Sequence, residues 1–379
     1  MKKLISLLLV LILALALVAC GDKKEDDKPT PPEEDAIKVC FICTQLGDNS
    51  FQDSCATGLR QAQEDFGIQL DIRQVGDDHV PSIREAAQNG YDIVVFGWDS
   101  NSQKLVDDEA KDYPNTIFFM YDIGNRYYVA PDNVLAIVYS ANESDFVCGA
   151  ISALMSTSKV TSWIGGQEYT SLYDYLVGWV TGVKYADANA STAFSWIAGD
   201  SPWSDPAKAK ELTKALYNNY QADIAHGVAG QSGDGVFQAV MELRDAGVEG
   251  CWAIGVDSDQ YAVFMGNDKE EIAEVILTSS LKKVAQPVYD LIKTIKNGGT
   301  PKLGLQIYGI AEGASGAADN DFFKANASKE AIEIADKITA DVLAGNLTVK
   351  SAYGMSLEEL NDLFAATTVN YDSQAINPL

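Results

Sequence analysis

The sequence predicts an α/β protein of two lobes, each a parallel sheet with helices on both faces. Three observations carry this expectation. Apolar strands and amphipathic helices alternate in two successive series, the pattern of repeated βαβ units. The strands are nearly continuous apolar runs, as strands covered on both faces must be. The chain, at 379 residues, is longer than one hydrophobic core usually serves.

Ahead of the first lobe, Met1-Lys2-Lys3 leads into an apolar run over residues 4–18 and then Ala19-Cys20. A basic start, a short apolar stretch and a small residue before the break compose a secretory signal. The run falls short of the ~20 residues that a membrane-spanning helix needs. Leu17-Val18-Ala19-Cys20 resembles the bacterial lipobox, which implies that Cys20 is diacylated and becomes the first mature residue. Two acyl chains hold a protein on a membrane where one does so only marginally. Residues 21–35 (GDKKEDDKPTPPEED) carry charge and proline but no large apolar side chain. They cannot bury a core and are expected to form a disordered tether.

The first series opens with residues 37–44 (IKVCFICT) as a buried strand. A helix over 51–66 follows, with Cys55, Leu59, Ala62 and Phe66 on one stripe. Strands over 68–75, 91–96, 116–121 and 134–139 then alternate with helices over 82–89 and 101–112. The second series starts with a helix over 143–157. Strands over 160–164, 192–198, 222–227 and 251–256 are separated by helices over 171–187, 206–219 and 234–246. Asp205 followed by Pro206 is an N-cap and first-turn pair. A strand over 273–278, a helix over 283–297, a strand over 303–308 and a helix over 329–344 close the body, and residues 349–379 show no clear period.

Open parallel sheets bind ligands outside the carboxyl ends of their strands, so the loops that follow the strands are the candidate ligand contacts. They are 44–50 (TQLGDNS), 97–100 (GWDS), 122–125 (DIGN), 165–170 (GGQEYT), 199–205 (GDSPWSD), 229–234 (AGQSGD) and 257–260 (DSDQ). If the lobes face one another, these loops converge on one cleft. Their Asp, Asn, Gln and Gly with a few aromatics describe a polar ligand that contains a ring.

Other chemistry is missing. A net charge of −26 opposes nucleic acid and anionic lipid as partners and disfavours free polyphosphates. With Cys20 lipidated, Cys40, Cys43, Cys55, Cys148 and Cys251 form an odd set with no disulfide framework. Cys40 and Cys43 fall on opposite faces of a strand and read as small apolar fillers, neither redox pair nor zinc site. His79 and His226 have no metal-ligand spacing, so neither metal nor cofactor is expected. There is no G-x-S-x-G elbow, no G-x-G-x-x-G fingerprint and no Walker A loop. The chain therefore reads as no enzyme, and any energy coupling lies on another chain.

Several of the loops match a known pattern. Asp48-Asn49-Ser50-Phe51-Gln52, Gly165-Gly166, Trp203-Ser204-Asp205-Pro206-Ala207-Lys208, Gly233-Asp234-Gly235-Val236-Phe237-Gln238 and Ile254-Gly255-Val256-Asp257-Ser258-Asp259-Gln260 resemble the basic membrane protein family, in that family's order and spacing. That family includes the purine nucleoside receptor lipoproteins of ABC importers. The resemblance spans roughly residues 37–312. It implies the type I periplasmic-binding-protein fold, two Rossmann-like lobes with parallel sheets joined by three crossovers, placed near Ala141, Ser280 and Gly304. The expected organisation is a signal over 1–19, a tether over 20–36, a first lobe of 37–141 plus 281–303, and a second lobe of 142–280 plus 304–379.

The resemblance also implies site roles. Phe51 and Trp203 match the aromatics that sandwich the base; a base stacked on an aromatic face gains ~1–3 kcal/mol. A core residue at the head of its helix is the competing role for Phe51. Asp257, favoured over Asp259, matches the acid that accepts from ribose hydroxyls, and Lys282, favoured over Lys283, the lysine that works with it. Asp122 matches another cleft acid. Asp48, Asn49, Trp98, Gly166 and Gly230 complete the expected ligand-binding set. Gln45 stands nearest the place of a family Asp, and Gln167 and Tyr169 also depart from the commoner loop, so guanosine, adenosine, inosine and pyrimidine nucleosides all stay open. The implied function is capture of a nucleoside, purines first, for import. The partners are permease and ATPase subunits on other chains, and the place is the extracytoplasmic face of the cell membrane, through a lipid on Cys20. The alternatives are a type I receptor for a sugar and a ligand-sensing lipoprotein without transport.

Overall fold

The computed structural model describes residues 36–371. The expectations for the signal, for the tether up to residue 35 and for Cys20 lie outside the described residues.

Two six-stranded sheets organise the body. The first holds β1 (Lys38–Cys43), β2 (Gln69–Gln74), β3 (Ile93–Gly97), β4 (Ile117–Tyr121), β5 (Val134–Tyr139) and β11 (Gly304–Tyr308) in the order β11-β5-β4-β3-β1-β2. All of its pairings are parallel. The second holds β6 (Val160–Gly165), β7 (Ser191–Trp196), β8 (Ile224–Val228), β9 (Trp252–Asp257), β10 (Ile276–Lys282) and β12 (Ser315–Ala317) in the order β12-β10-β9-β8-β6-β7. Only β12 pairs antiparallel. Leaving out the outer strand of each sheet, both follow one winding, with the order reversing beside the first strand of each series. That reversal point is where doubly wound sheets open a crevice.

Each sheet is covered on both faces. Over the first, α1 (Phe51–Phe66) and α10 (Ala285–Lys296) lie on one side, and α2 (Val80–Gln88) and α3 (Ser100–Glu109) on the other. Cys43 is buried in one of these cores and Cys40 in the other, as strand alternation requires. All five described cysteines are free and buried. Over the second sheet, α4 (Ala141–Met155), α5 (Thr170–Ala186), α12 (Lys329–Leu343) and α13 (Leu357–Thr367) cover one side. The other is covered by α6 (Pro206–Tyr220), α7 (Asp234–Asp245), α8 (Gln260–Gly266) and α9 (Glu270–Ala273). A short α11 (Asp321–Asn326) precedes α12. Asp205 caps α6, accepting from the Lys208 amide at 2.9 Å, with Pro206 in its first turn.

The chain crosses between the sheets three times, after β5, after β10 and after β11. Two crossings lie later than the sequence places them. The strand Gly304–Tyr308, expected in the second lobe, pairs with β5 in the first sheet. β10 runs on through Lys282 in the second sheet, past Ser280. Residues 273–278, expected as one strand, divide into the end of α9 and the start of β10. β12, α8, α11 and α13 were not expected at all.

The C-terminal stretch acts as a strap. The Asn142 amide donates to the carbonyls of Val349 and Lys350, and Asp174 on α5 accepts from Ser351 Oγ at 2.5 Å and from the Ala352 amide at 2.8 Å. Tyr353 then leaves the second lobe's helices, packs against the core of the first, and lies under the Arg126 guanidinium at 4.9 Å.

Candidate ligand-binding cleft

The carboxyl ends of the two sets of strands meet at one place, and the meeting is made by side chains. Asp257, the last residue of β9, and Asp122, directly after β4, occupy the same position in their respective sheets. Both have left-handed backbones, with φ of 64° and 62°. Asp tolerates this region better than most residues, at a cost of about 1–3 kcal/mol. The turn takes each chain out of its strand just where the carboxylate is needed.

Lys282, the last residue of β10, lies between them. Its Nζ is 3.0 Å from Asp122 Oδ2 and 3.9 Å from Asp257 Oδ1. Three rings surround the ammonium, with Phe51 at 4.6 Å, Tyr175 at 5.2 Å and Tyr139 at 5.8 Å. The lysine is 4% exposed and Asp257 7%, so the charges are largely stripped of water and depend on one another. Burial pushes the Asp257 carboxyl above its usual range, while Lys282, Ser50 and Tyr175 pull it back down.

The head of α1 closes on this group from the first sheet. Ser50 Oγ donates to Asp257 Oδ2 at 2.6 Å. The Asn49 carbonyl accepts from Ser258 Oγ at 3.1 Å and Gln260 Nε2 at 3.3 Å. Asn49 is itself left-handed at φ 51°, which turns its carbonyl across the gap. Asp48 faces inward to its own loop and accepts from the amides of Ser50, Gln52 and Asp53. It is the loop's organiser, and burial raises its carboxyl.

Among the other expected residues, Phe51 lies against Tyr121, with ring centroids 5.2 Å apart, and under Lys282. The ring is thus partly buried against the first lobe's core while Lys282 lies over it. Trp203 is 37% exposed and leans on Tyr169 edge-on at 6.0 Å. Gly166 is what lets it lie there, since a Cβ at 166 would stand 2.3 Å from its ring. Gly230 lies beside Trp203 too, but a Cβ there would make only ordinary contact at 3.5 Å or more; its φ of 52° is what favours glycine. Gly166 is the glycine that seats the tryptophan. Phe51 and Trp203 are not themselves a ring pair among the described contacts. Trp98 lies over Gly124, and its indole N–H is spent on Gln103 at 2.7 Å. Gln45 is exposed.

Sequence reasoning missed Ser50, Tyr139 and Tyr175 as members of this group. Ser50 stands inside the quoted Asp48–Gln52 block, so its loop was flagged though its role was not. Among the described residues no group of three or more His, Cys, Asp or Glu is placed to hold a metal ion. No described helix is long and apolar enough to cross a membrane.

A model of the family described as "ABC transporter substrate-binding protein PnrA-like" matches residues 38–345. The chain is similar to the "ABC transporter nucleoside-binding protein BmpA" of Lactococcus lactis, 26% identical over 363 residues that cover 93% of this chain and all of that one. It is 25% identical to the "CD4+ T-cell-stimulating antigen" of Listeria monocytogenes over 92% of this chain and 98% of the relative. It is 24% identical to "Basic membrane protein A" of Borreliella burgdorferi over 83% and 87%. Among solved structures, an ABC transporter solute-binding protein from Aeropyrum pernix superposes with a TM-score of 0.72 at 20% identity, covering 87% of this chain and 99% of that one. One from Conexibacter woesei gives 0.66 at 19% identity, covering 84% and 100%.

Proposed function

The chain belongs to the PnrA-like family of ABC transporter substrate-binding proteins, and we propose that it captures a nucleoside, purines first, in the cleft between its two sheets. The observation that carries this reading is the group of buried Asp257 and Lys282 with half-buried Asp122, at the ends of three strands, with the Phe51 ring against it. A vicinal diol donates two hydrogen bonds, and a carboxylate is the acceptor that can take both. An aromatic face beside the diol site is what a base needs to stack on. The printed name of the Lactococcus lactis relative supports the same ligand class.

In this reading the lobes part about the three crossings, and Ser50 leaves Asp257 with the first lobe. A ribose hydroxyl takes the place of the Ser50 hydroxyl, the base slides between Phe51 and Trp203, and Gln45 at the rim meets the base edge. Closure desolvates the ring, and the ligand selects the closed form by binding it better. A membrane permease, which works with ATPase subunits on other chains, then reads the closed form. A lipid on Cys20 would hold the receptor at the extracytoplasmic face; Cys20→Ser should release it from the membrane fraction.

Two carboxylates against one ammonium leave a site that suits a neutral ligand rich in hydroxyl donors and repels phosphate. Thermal unfolding of the purified full chain with nucleosides, free bases, nucleoside monophosphates and sugars tests this. A ligand at a hundredfold its Kd stabilises the native state by about 2.7 kcal/mol. Stabilisation by nucleosides and not by their monophosphates is expected. Stabilisation by sugars alone would replace the nucleoside with a sugar, and none by any of these would favour a ligand-sensing role.

A further inference from the structure

Tyr175 lies behind the cleft, not in it. It sits in the second turn of α5 and is 1% exposed. Its hydroxyl donates to Asp257 Oδ1 at 3.0 Å, and its ring lies 5.2 Å from Lys282 Nζ. One buried side chain therefore touches both members of the pair assigned to the ligand's hydroxyls.

The other partners of that pair are divided between the lobes. Ser50, on Asp257 Oδ2, and Asp122, the closer acid to Lys282, both come from the first sheet's side. When the lobes part, both leave. Lys282 alone is a poor anchor for Asp257, since its ammonium is 3.9 Å from that carboxylate. Tyr175 travels with Asp257, on the helix that packs beneath the same sheet. We infer that Tyr175 is a positioning residue, whose hydroxyl stays bonded to Asp257 and holds it correctly oriented while the cleft is open, so that the acceptor is ready before a ligand arrives.

The inference rests on the reading of Asp257 as the ligand's acceptor, but its test does not need the ligand. The charged and titratable groups that face Asp257 are Lys282 from β10, Asp122 from the end of β4, Tyr175 from α5 and Tyr169 from the turn before it. Burial raises the Asp257 carboxyl; Lys282, Ser50 and Tyr175 lower it; Asp122 raises it again. The Tyr175 phenol is pushed far above its usual range by its own burial and by Asp257, so it remains a donor wherever Asp257 titrates.

The experiment follows the side-chain carboxyl carbon of Asp257 by NMR in the full chain labelled with 13Cγ-aspartate, the signal being assigned by its loss in Asp257→Asn. In Tyr175→Phe, which keeps the ring and removes the hydroxyl, the Asp257 titration should move to higher pH. With 3-fluorotyrosine at position 175, a stronger donor of nearly the same shape, it should move to lower pH. Affinity for the stabilising ligand of the unfolding screen should fall about tenfold in Tyr175→Phe at pH 7, the loss of one hydrogen bond to a charged group. An Asp257 titration unmoved by both changes would overturn the inference. If Tyr175→Phe does not fold, the fluorinated protein alone decides. A titration that moves as expected in a protein that binds no nucleoside would leave Tyr175 in its role and remove the ligand.

Discussion

Asp257 is the residue on which the proposed binding role rests most. It combines a left-handed backbone, near-complete burial and a bond across to the other sheet. Asp257→Asn keeps the shape and removes the charge, and nucleoside affinity measured by calorimetry should fall ten- to a hundredfold, the range for hydrogen bonds to a charged group. Trp203→Ala should cost a similar amount, ~1–3 kcal/mol, if the indole stacks on the base. Asp174 makes a different statement. Its burial, with Ser351, Arg126, and the Ala352 and Asn142 amides acting against it, leaves the carboxyl raised to about 6. Between its usual value of 3.8 and 6 the folded chain holds a proton on Asp174 that the unfolded chain has lost. This group therefore adds stability at low pH and takes it away as pH rises through that window. Asp174→Asn should remove the effect, so melting of the variant relative to the native protein should gain as pH is raised from 4 to 7. Asp122, Asp257 and Lys282 were legible because each stands at or directly after a strand end, and Phe51 because it opens a helix inside a recognisable run. Ser50 and Tyr175 were not, because they meet Asp257 across 207 and 82 residues of chain, and no local pattern records such a meeting.

Among the elements, the long apolar strands were legible and the short ones were not. β12 has three residues and pairs antiparallel at an edge, too short for a period to show. The helices α4 and α5 are a separate case. Both are buried over most of their length, so their periodicity is weak and what fixes them is their approach to one another. A Cβ at Gly178 would stand 2.2 Å from the Asn142 carbonyl oxygen, and one at Gly182 would stand 2.1 Å from that of Phe146. Both obstacles are backbone and cannot rotate aside. Gly178→Ala should therefore destabilise the fold by about 1–3 kcal/mol or more, although alanine is the better helix former. Chemical denaturation would show it as a lower midpoint. Asp48, placed by sequence in the binding set, also holds the head of α1 by taking three amides.

For the whole molecule, the two repeats and their parallel sheets followed from the alternation of strands and helices. The exact crossings did not, because a strand's own residues do not say which sheet it will join. The strand Gly304–Tyr308 is the instance, since it pairs with Val134–Tyr139. Between those partners in the sequence lie the five parallel strands of the second sheet. As the chain emerges from its N-terminus, Val134–Tyr139, a strand buried at all six positions in the finished protein, must wait with one edge open. An unpaired apolar edge is a template for a neighbouring chain. Chains halted before residue 304 should therefore aggregate more than chains halted just past residue 317, as light scattering on released translation products would record. The first half of the polypeptide is thus finished only by a strand from near its other end.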